Sequence, residues 1–162
     1  MQAENHDANM QKYSNYKEQF SRLYKAIKNE YYMEAVFIEY SIMEDRTRAI
    51  LKRAGKYEAY LKKRGRYQET LDSKIKYIQC FAAEKKSLLN RYFGDDLLMK
   101  ILEWKEQRNA LVHALLDQKL HTEDIASFAL TGMEYVKDIR NRATNYRRAR
   151  EKEALLQADN VK

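Results

Sequence analysis

The chain has 162 residues, no proline, only four glycines and a formal net charge of +7. Average usage would supply roughly eight prolines and eleven glycines, and proline breaks helix interiors, so the composition points to one nearly all-α domain. A single cysteine rules out an internal disulfide framework. No apolar run approaches the roughly 18 residues of a membrane span.

Residues 1–12 are polar, and a flexible N-terminal tail is expected there, without the basic start and apolar run of a signal peptide. The single domain is expected over 13–150. A first helix is predicted over 14–28. Asn29 is placed to cap a second over 30–54, which should stop at Gly55. On a helical wheel Tyr32, Met33, Val36, Tyr40, Met43, Thr47, Ile50 and Leu51 form one stripe. Ala35, Ile38, Ile42 and Ala49 form another, nearly opposite, so this helix should be central and buried. Glu39 and Arg46 lie between the stripes, as an internal ion pair, a snorkelling rim or site residues.

Residues 55–68 hold two glycines and dense basic charge, and read as a loop. A third helix is predicted from Thr70 to Tyr92, stopping at Gly94. It carries Cys80 in an apolar context, the place of a small buried hydrophobe in a reducing compartment. Asp95 should cap a fourth helix over 96–119. Thr122, followed by Glu123 and Asp124, should start a fifth that runs to about 150 or beyond, with acids in the first turn suiting the helix dipole. Residues 151–162 read as a polar C-terminal tail. The expected fold is an antiparallel bundle of about five helices, in a soluble, cytoplasmic protein with no membrane contact.

Charge is unevenly placed. Residues 52–66 hold seven basic side chains and one acid, and residues 137–152 hold seven and two. A phosphate polymer would be drawn to both segments, unless they are simply solvated helix faces. Thirteen tyrosines could stack on bases, or pack with their hydroxyls at the surface. Of the three histidines, His6 is in the tail, His113 in the fourth helix and His121 at a turn. No Glu-x-x-His pair, Cys–His cluster, glycine-rich phosphate loop or serine elbow is present. Metal, nucleotide and serine-hydrolase chemistries are therefore not expected, and no cofactor is.

The fourth helix contains "EWKEQRNALVHALL", residues 103–116. With Leu97 at zero, the apolar stripe centres near about 50° and Arg108 falls at about 20°, inside it. Asn109 at about 120° and His113 at about 160° share the stripe's edge. Arginine is rarely buried without a partner. An internal acid such as Glu39, a second copy of the chain or a phosphate could meet it, unless it snorkels from a partly exposed stripe. Five residues leave Arg108 and His113 about 140° apart, so one helix presents them poorly to a common phosphate. Two facing copies would place both pairs in one cleft.

The segment "RNALVH", Arg108 to His113, resembles the Arg–four-to-six residues–His signature of HEPN domains, helical ribonucleases of toxin–antitoxin, phage-defence and CRISPR-associated systems. Asn109 matches the polar residue that often follows the arginine. The resemblance covers six residues in sequence and the bundle in architecture. It implies a homodimeric, metal-independent endoribonuclease with no cofactor, a HEPN-like bundle, RNA as substrate, and an antitoxin or defence-system partner. It also implies that His113 acts as general base or acid on the ribose 2′-hydroxyl and that Arg108 stabilises the phosphoryl oxygens. Asn109 would orient the histidine or hold a phosphate oxygen, and Glu39 would be a lesser substrate-orienting candidate. Toxins of this kind that are silenced by nucleotidyltransferase antitoxins often carry a tyrosine two residues after the histidine. Here that position is Leu115. The competing reading is a non-catalytic helical module that binds a partner protein or RNA.

Overall fold

A computed structural model describes residues 2–64, 69–115 and 121–159. Gly65 and Arg66 of the first basic segment, the end of the fourth predicted helix and residues 160–162 lie outside the described residues. Among those described there are seven helices and no strand: α1 (Gln2–Lys28), α2 (Tyr32–Arg53), α3 (Tyr57–Arg64), α4 (Leu71–Ala82), α5 (Leu88–Phe93), α6 (Leu97–Ala114) and α7 (Thr122–Asp159). None of these helices is long and apolar enough to cross a membrane.

Two departures raise the helix number above five. The stretch expected as a loop contains α3, because Tyr57, Tyr60 and Leu61 recur at helical spacing and face the core. Tyr60 is fully buried, and its hydroxyl lies 2.6 Å from Ser73 Oγ. The predicted third helix is two. Thr70 caps α4 in a reciprocal capping box with Ser73. After Ala82 the chain turns, Lys86 takes φ +72°, and Ser87 caps α5 by accepting from Asn90 N at 3.0 Å. Asn90 Nδ2 donates to Ala82 O at 2.7 Å and ties the two pieces together. Cys80 is exposed on α4, not buried as its apolar neighbours suggested.

Other caps also differ from expectation. Asn29 closes α1, its N–H donating to Lys25 O at 2.9 Å, while α2 starts behind Tyr31 without a side-chain cap. The N-cap of α6 is Asp96; Asp95, one residue earlier, still accepts from Leu97 N at 3.3 Å. Gly55, at φ +66°, ends α2 as expected: Lys56 N–H reaches back to Leu51 O, and Gly55 N–H to Lys52 O. Helix α1 begins at Gln2, within the expected tail, and α7 continues to Asp159.

Helix α2 is the centre of the bundle, packed against α1, α3, α4 and α7, with residues of both stripes buried. Helices α1 and α2 run antiparallel: Arg22 of α1 pairs with Glu34 of α2, and Arg46 of α2 stacks on Tyr16 of α1. Arg46 also pairs with Asp45. Helices α2 and α7 run parallel. Gly132 approaches Glu39, and further along in both helices Arg53 pairs with Glu151.

At Gly132, α7 comes close to both α2 and α6. A Cβ there would lie 2.1 Å from Glu39 Oε2 and 2.9 Å from Trp104 Cζ2. Alanine in place of a helical glycine is worth about 1 kcal/mol in intrinsic propensity. Here the overpacking, typically about 1–3 kcal/mol, should outweigh that gain. Gly132→Ala is therefore expected to destabilise the fold in urea titrations, and to cost less in a Glu39→Ala background. Equal cost in both backgrounds would rule out the Glu39 contact as the cause.

Candidate functional site

In α6 only Leu97, Leu98, Ile101 and Trp104 are buried. Trp104 anchors this half: its ring stacks on Phe128 of α7 at 5.0 Å, and its indole N–H donates to Phe128 O at 3.4 Å. Past Trp104 the apolar stripe runs off the core. Leu111 and Val112 are half-buried and Leu115 is 40% exposed.

Arg108 sits at that boundary, half-buried. Its guanidinium lies 5.0 Å from the ring centre of Phe37 and 4.9 Å from that of Tyr40, both on α2. Aromatic faces attract a cation electrostatically, so an arginine can occupy an apolar stripe without a carboxylate. Arg108 Nη1 donates to Asn109 Oδ1 at 3.3 Å, which also sets the amide of the half-buried Asn109. Arg108 Nε is buried without a hydrogen-bond partner among the described residues.

Of the partners considered for Arg108, the internal acid Glu39 does not meet it among the described residues. Glu39 is fully buried on the side of α2 that meets Gly132, and neither of its carboxylate oxygens has a hydrogen-bond partner among the described residues. Burial pushes its carboxyl up to about 9, because a low-dielectric site disfavours the charged form. At neutral pH it is a neutral acid and cannot serve as counter-ion to Arg108. Its side chain is sealed from solvent within one copy of the chain.

His113 is exposed, five residues beyond Arg108. That separation is about 7.5 Å along the axis and about 140° around it. No hydrogen bond among the described residues joins His113 to Arg108 or Asn109. One copy of the chain thus unites Arg108 and Asn109 and leaves the imidazole apart.

A polar network next to this region was missed from the sequence. Lys74 is fully buried, and its Nζ donates to Glu44 Oε1 at 2.8 Å and Glu69 Oε1 at 3.5 Å. The same Glu69 oxygen accepts from Arg48 Nε at 2.9 Å and Tyr57 Oη at 2.8 Å. Burial alone would raise the Glu69 carboxyl. The bonds from Arg48 and Tyr57 and the charge of Lys74 outweigh it and hold the group at about 2. Lys105 of α6 closes on Asp72 at 2.9 Å. Burial and the nearby Glu44 raise the Tyr40 hydroxyl, while Arg108, 4.9 Å from the ring centre, opposes them. A usable signal was present: Lys74 falls within the Leu71, Ile75, Ile78 stripe, just as Arg108 falls within its own.

The basic segments meet at one end of the bundle, where Arg53 and Arg147 share Glu151 at 3.8 and 3.9 Å. Among the described residues no group of three or more His, Cys, Asp or Glu side chains is placed to hold a metal ion. The chain matches no protein-family model, no curated protein and no solved structure.

Proposed function

We propose that this protein is a metal-independent endoribonuclease of HEPN type, acting as a cytoplasmic homodimer in a toxin or phage-defence role, with an antitoxin or defence-system partner. The observation that carries the reading is the second half of α6. Arg108 is held on two aromatic rings beside Asn109, His113 faces solvent, and Leu111, Val112 and Leu115 lie along the same helix with their apolar surface incompletely covered. A second copy packed across that stripe would cover it and bring a further Arg108–His113 pair to the cleft.

In the proposed reaction the ribose 2′-oxygen attacks the adjacent phosphorus while a His113 imidazole takes its proton. Arg108 donates to the phosphoryl oxygens as negative charge builds on them. The bond from phosphorus to the 5′-oxygen breaks, and that oxygen takes a proton from the second His113 of the dimer, which enters as imidazolium and leaves as imidazole. The products are a 2′,3′-cyclic phosphate and a 5′-hydroxyl.

The test is incubation of the purified protein with diverse RNAs in EDTA, with end-group analysis of the fragments. Fragments with cyclic phosphate and 5′-hydroxyl ends, formed by a dimer, are expected. No cleavage of any RNA, or cleavage that EDTA abolishes, would overturn the reading. The alternative is a non-catalytic module that binds RNA or a protein partner. The exposed Lys62 and Lys63 on α3 favour it. It predicts that charge reversal at these lysines, and not His113→Ala, removes the biological effect.

A further inference from the structure

Helices α1 and α7 flank an open groove of about 480 Å³, remote in sequence from the α6 motif. Its lining includes Lys17, Phe20, Tyr24, Lys25 and Lys28 of α1 and Arg140 of α7, and no acidic residue. None of the three lysines belongs to the two basic segments of the sequence. The surrounding cations are neutralised locally: Arg22 pairs with Glu34 at 3.3 Å and Lys137 with Glu134 at 2.7 Å. Lys17, Lys25, Lys28 and Arg140 have no carboxylate within ion-pair distance among the described residues. The guanidinium of Arg140 rests 4.6 Å from the ring centre of the buried Phe20, which fixes it at the groove wall. Beside it the ring of Tyr24 is 49% exposed.

We propose that this groove binds single-stranded nucleic acid, with phosphates along the lysine row and Arg140, and a base stacked on Tyr24. The lysine row spans about 16 Å along α1, by the helical rise. Four uncompensated cations call for a polyanion. The exposed aromatic face among them selects for a strand with free bases, because stacking on an aromatic ring needs an unpaired base. A duplex keeps its base faces covered, and an acidic peptide supplies charge without rings. The proposal does not rest on the Arg108–His113 reading.

The experiment uses the full chain carrying His113→Ala, in EDTA, so that binding is read without cleavage. Fluorescence anisotropy of labelled oligouridylate and oligothymidylate is followed against salt. Four phosphate contacts at about −0.7 each give a slope of about −3 in log affinity against log salt, or about 50-fold weaker binding from about 50 to 200 mM. Combined Lys17→Gln, Lys25→Gln and Lys28→Gln should flatten the slope to about −1. Tyr24→Ala should weaken binding about 5- to 150-fold. All four positions are exposed, so circular dichroism and melting should not change. The proposal is overturned if the triple variant keeps the wild-type slope or if Tyr24→Ala binds normally. It also fails if Lys62→Gln with Lys63→Gln causes the loss instead, or if duplex, polyglutamate or anionic phospholipid vesicles bind as well as the single strands. Loss of strand binding with RNA cleavage intact in the parent chain would sink this proposal alone. The converse would sink only the proposed catalysis.

Discussion

Replacing His113 with alanine should slow RNA cleavage by about 10²–10⁴-fold, the usual contribution of a positioned general acid or base. The same change should leave the melting temperature nearly unaltered, because the side chain is exposed and makes no described hydrogen bond. Arg108→Ala should also abolish cleavage, but at a cost in stability, since it strips a cation from Phe37 and Tyr40. Such contacts are worth about 0.5–2 kcal/mol. Arg108→Lys separates the two roles: it retains the charge over the rings and loses the two-pronged donor to the phosphoryl group. Partial activity regained on mixing the Arg108→Ala and His113→Ala proteins would place the two groups on different copies. A His113→Ala protein that cleaves at the wild-type rate would remove the histidine from the mechanism.

Glu39→Gln should make the protein more stable at neutral pH and leave it unchanged in acid. The free carboxyl titrates near 4.5, whereas in the fold burial holds it up to about 9. Below the lower value both states are protonated and Glu39 adds no pH dependence. Between the two values the unfolded chain has released the proton and the native chain has kept it. Stability therefore falls as pH rises, by about 1.4 kcal/mol per unit. At about pH 7 the accumulated loss is roughly 3 kcal/mol, and glutamine, which cannot ionise, should recover it. Urea titrations of both proteins at about pH 5 and about pH 7 would show the gap opening. A gap of constant size across that range would mean that Glu39 is ionised in the native fold.

The helical class, the central position of α2, the stop at Gly55 and the start at Thr122 were legible, because each rests on local pattern. The break between α4 and α5 was not. Residues 83–87 contain no proline or glycine, and the turn depends on Ser87 and on Asn90 reaching Ala82 O across it. The wheel placed Arg108 in an apolar stripe correctly, but among partners within the chain only an acid was considered, and not an aromatic ring. Phe37 and Tyr40 could be identified only once α2 and α6 were set side by side. For Glu39 the sequence left an ion pair, a rim position and a site role open; the structure pairs it with no cation and packs it, protonated by burial, against a glycine. Cys80 is exposed because it lies about 180° around α4 from Leu71, opposite the buried stripe.

The parallel course of α2 and α7 also affects the order of assembly. The central helix precedes α3, α4, α5 and α6 in synthesis, yet the helix lying along it is made only after all four. Until residues such as Val136 and Ile139 leave the ribosome, the inner surface of α2 has no final cover. Sequence-distant contacts of this kind slow folding, because a long loop must close before they reward it. The nascent chain therefore exposes apolar surface of α2 until α7 has been made and packs along it.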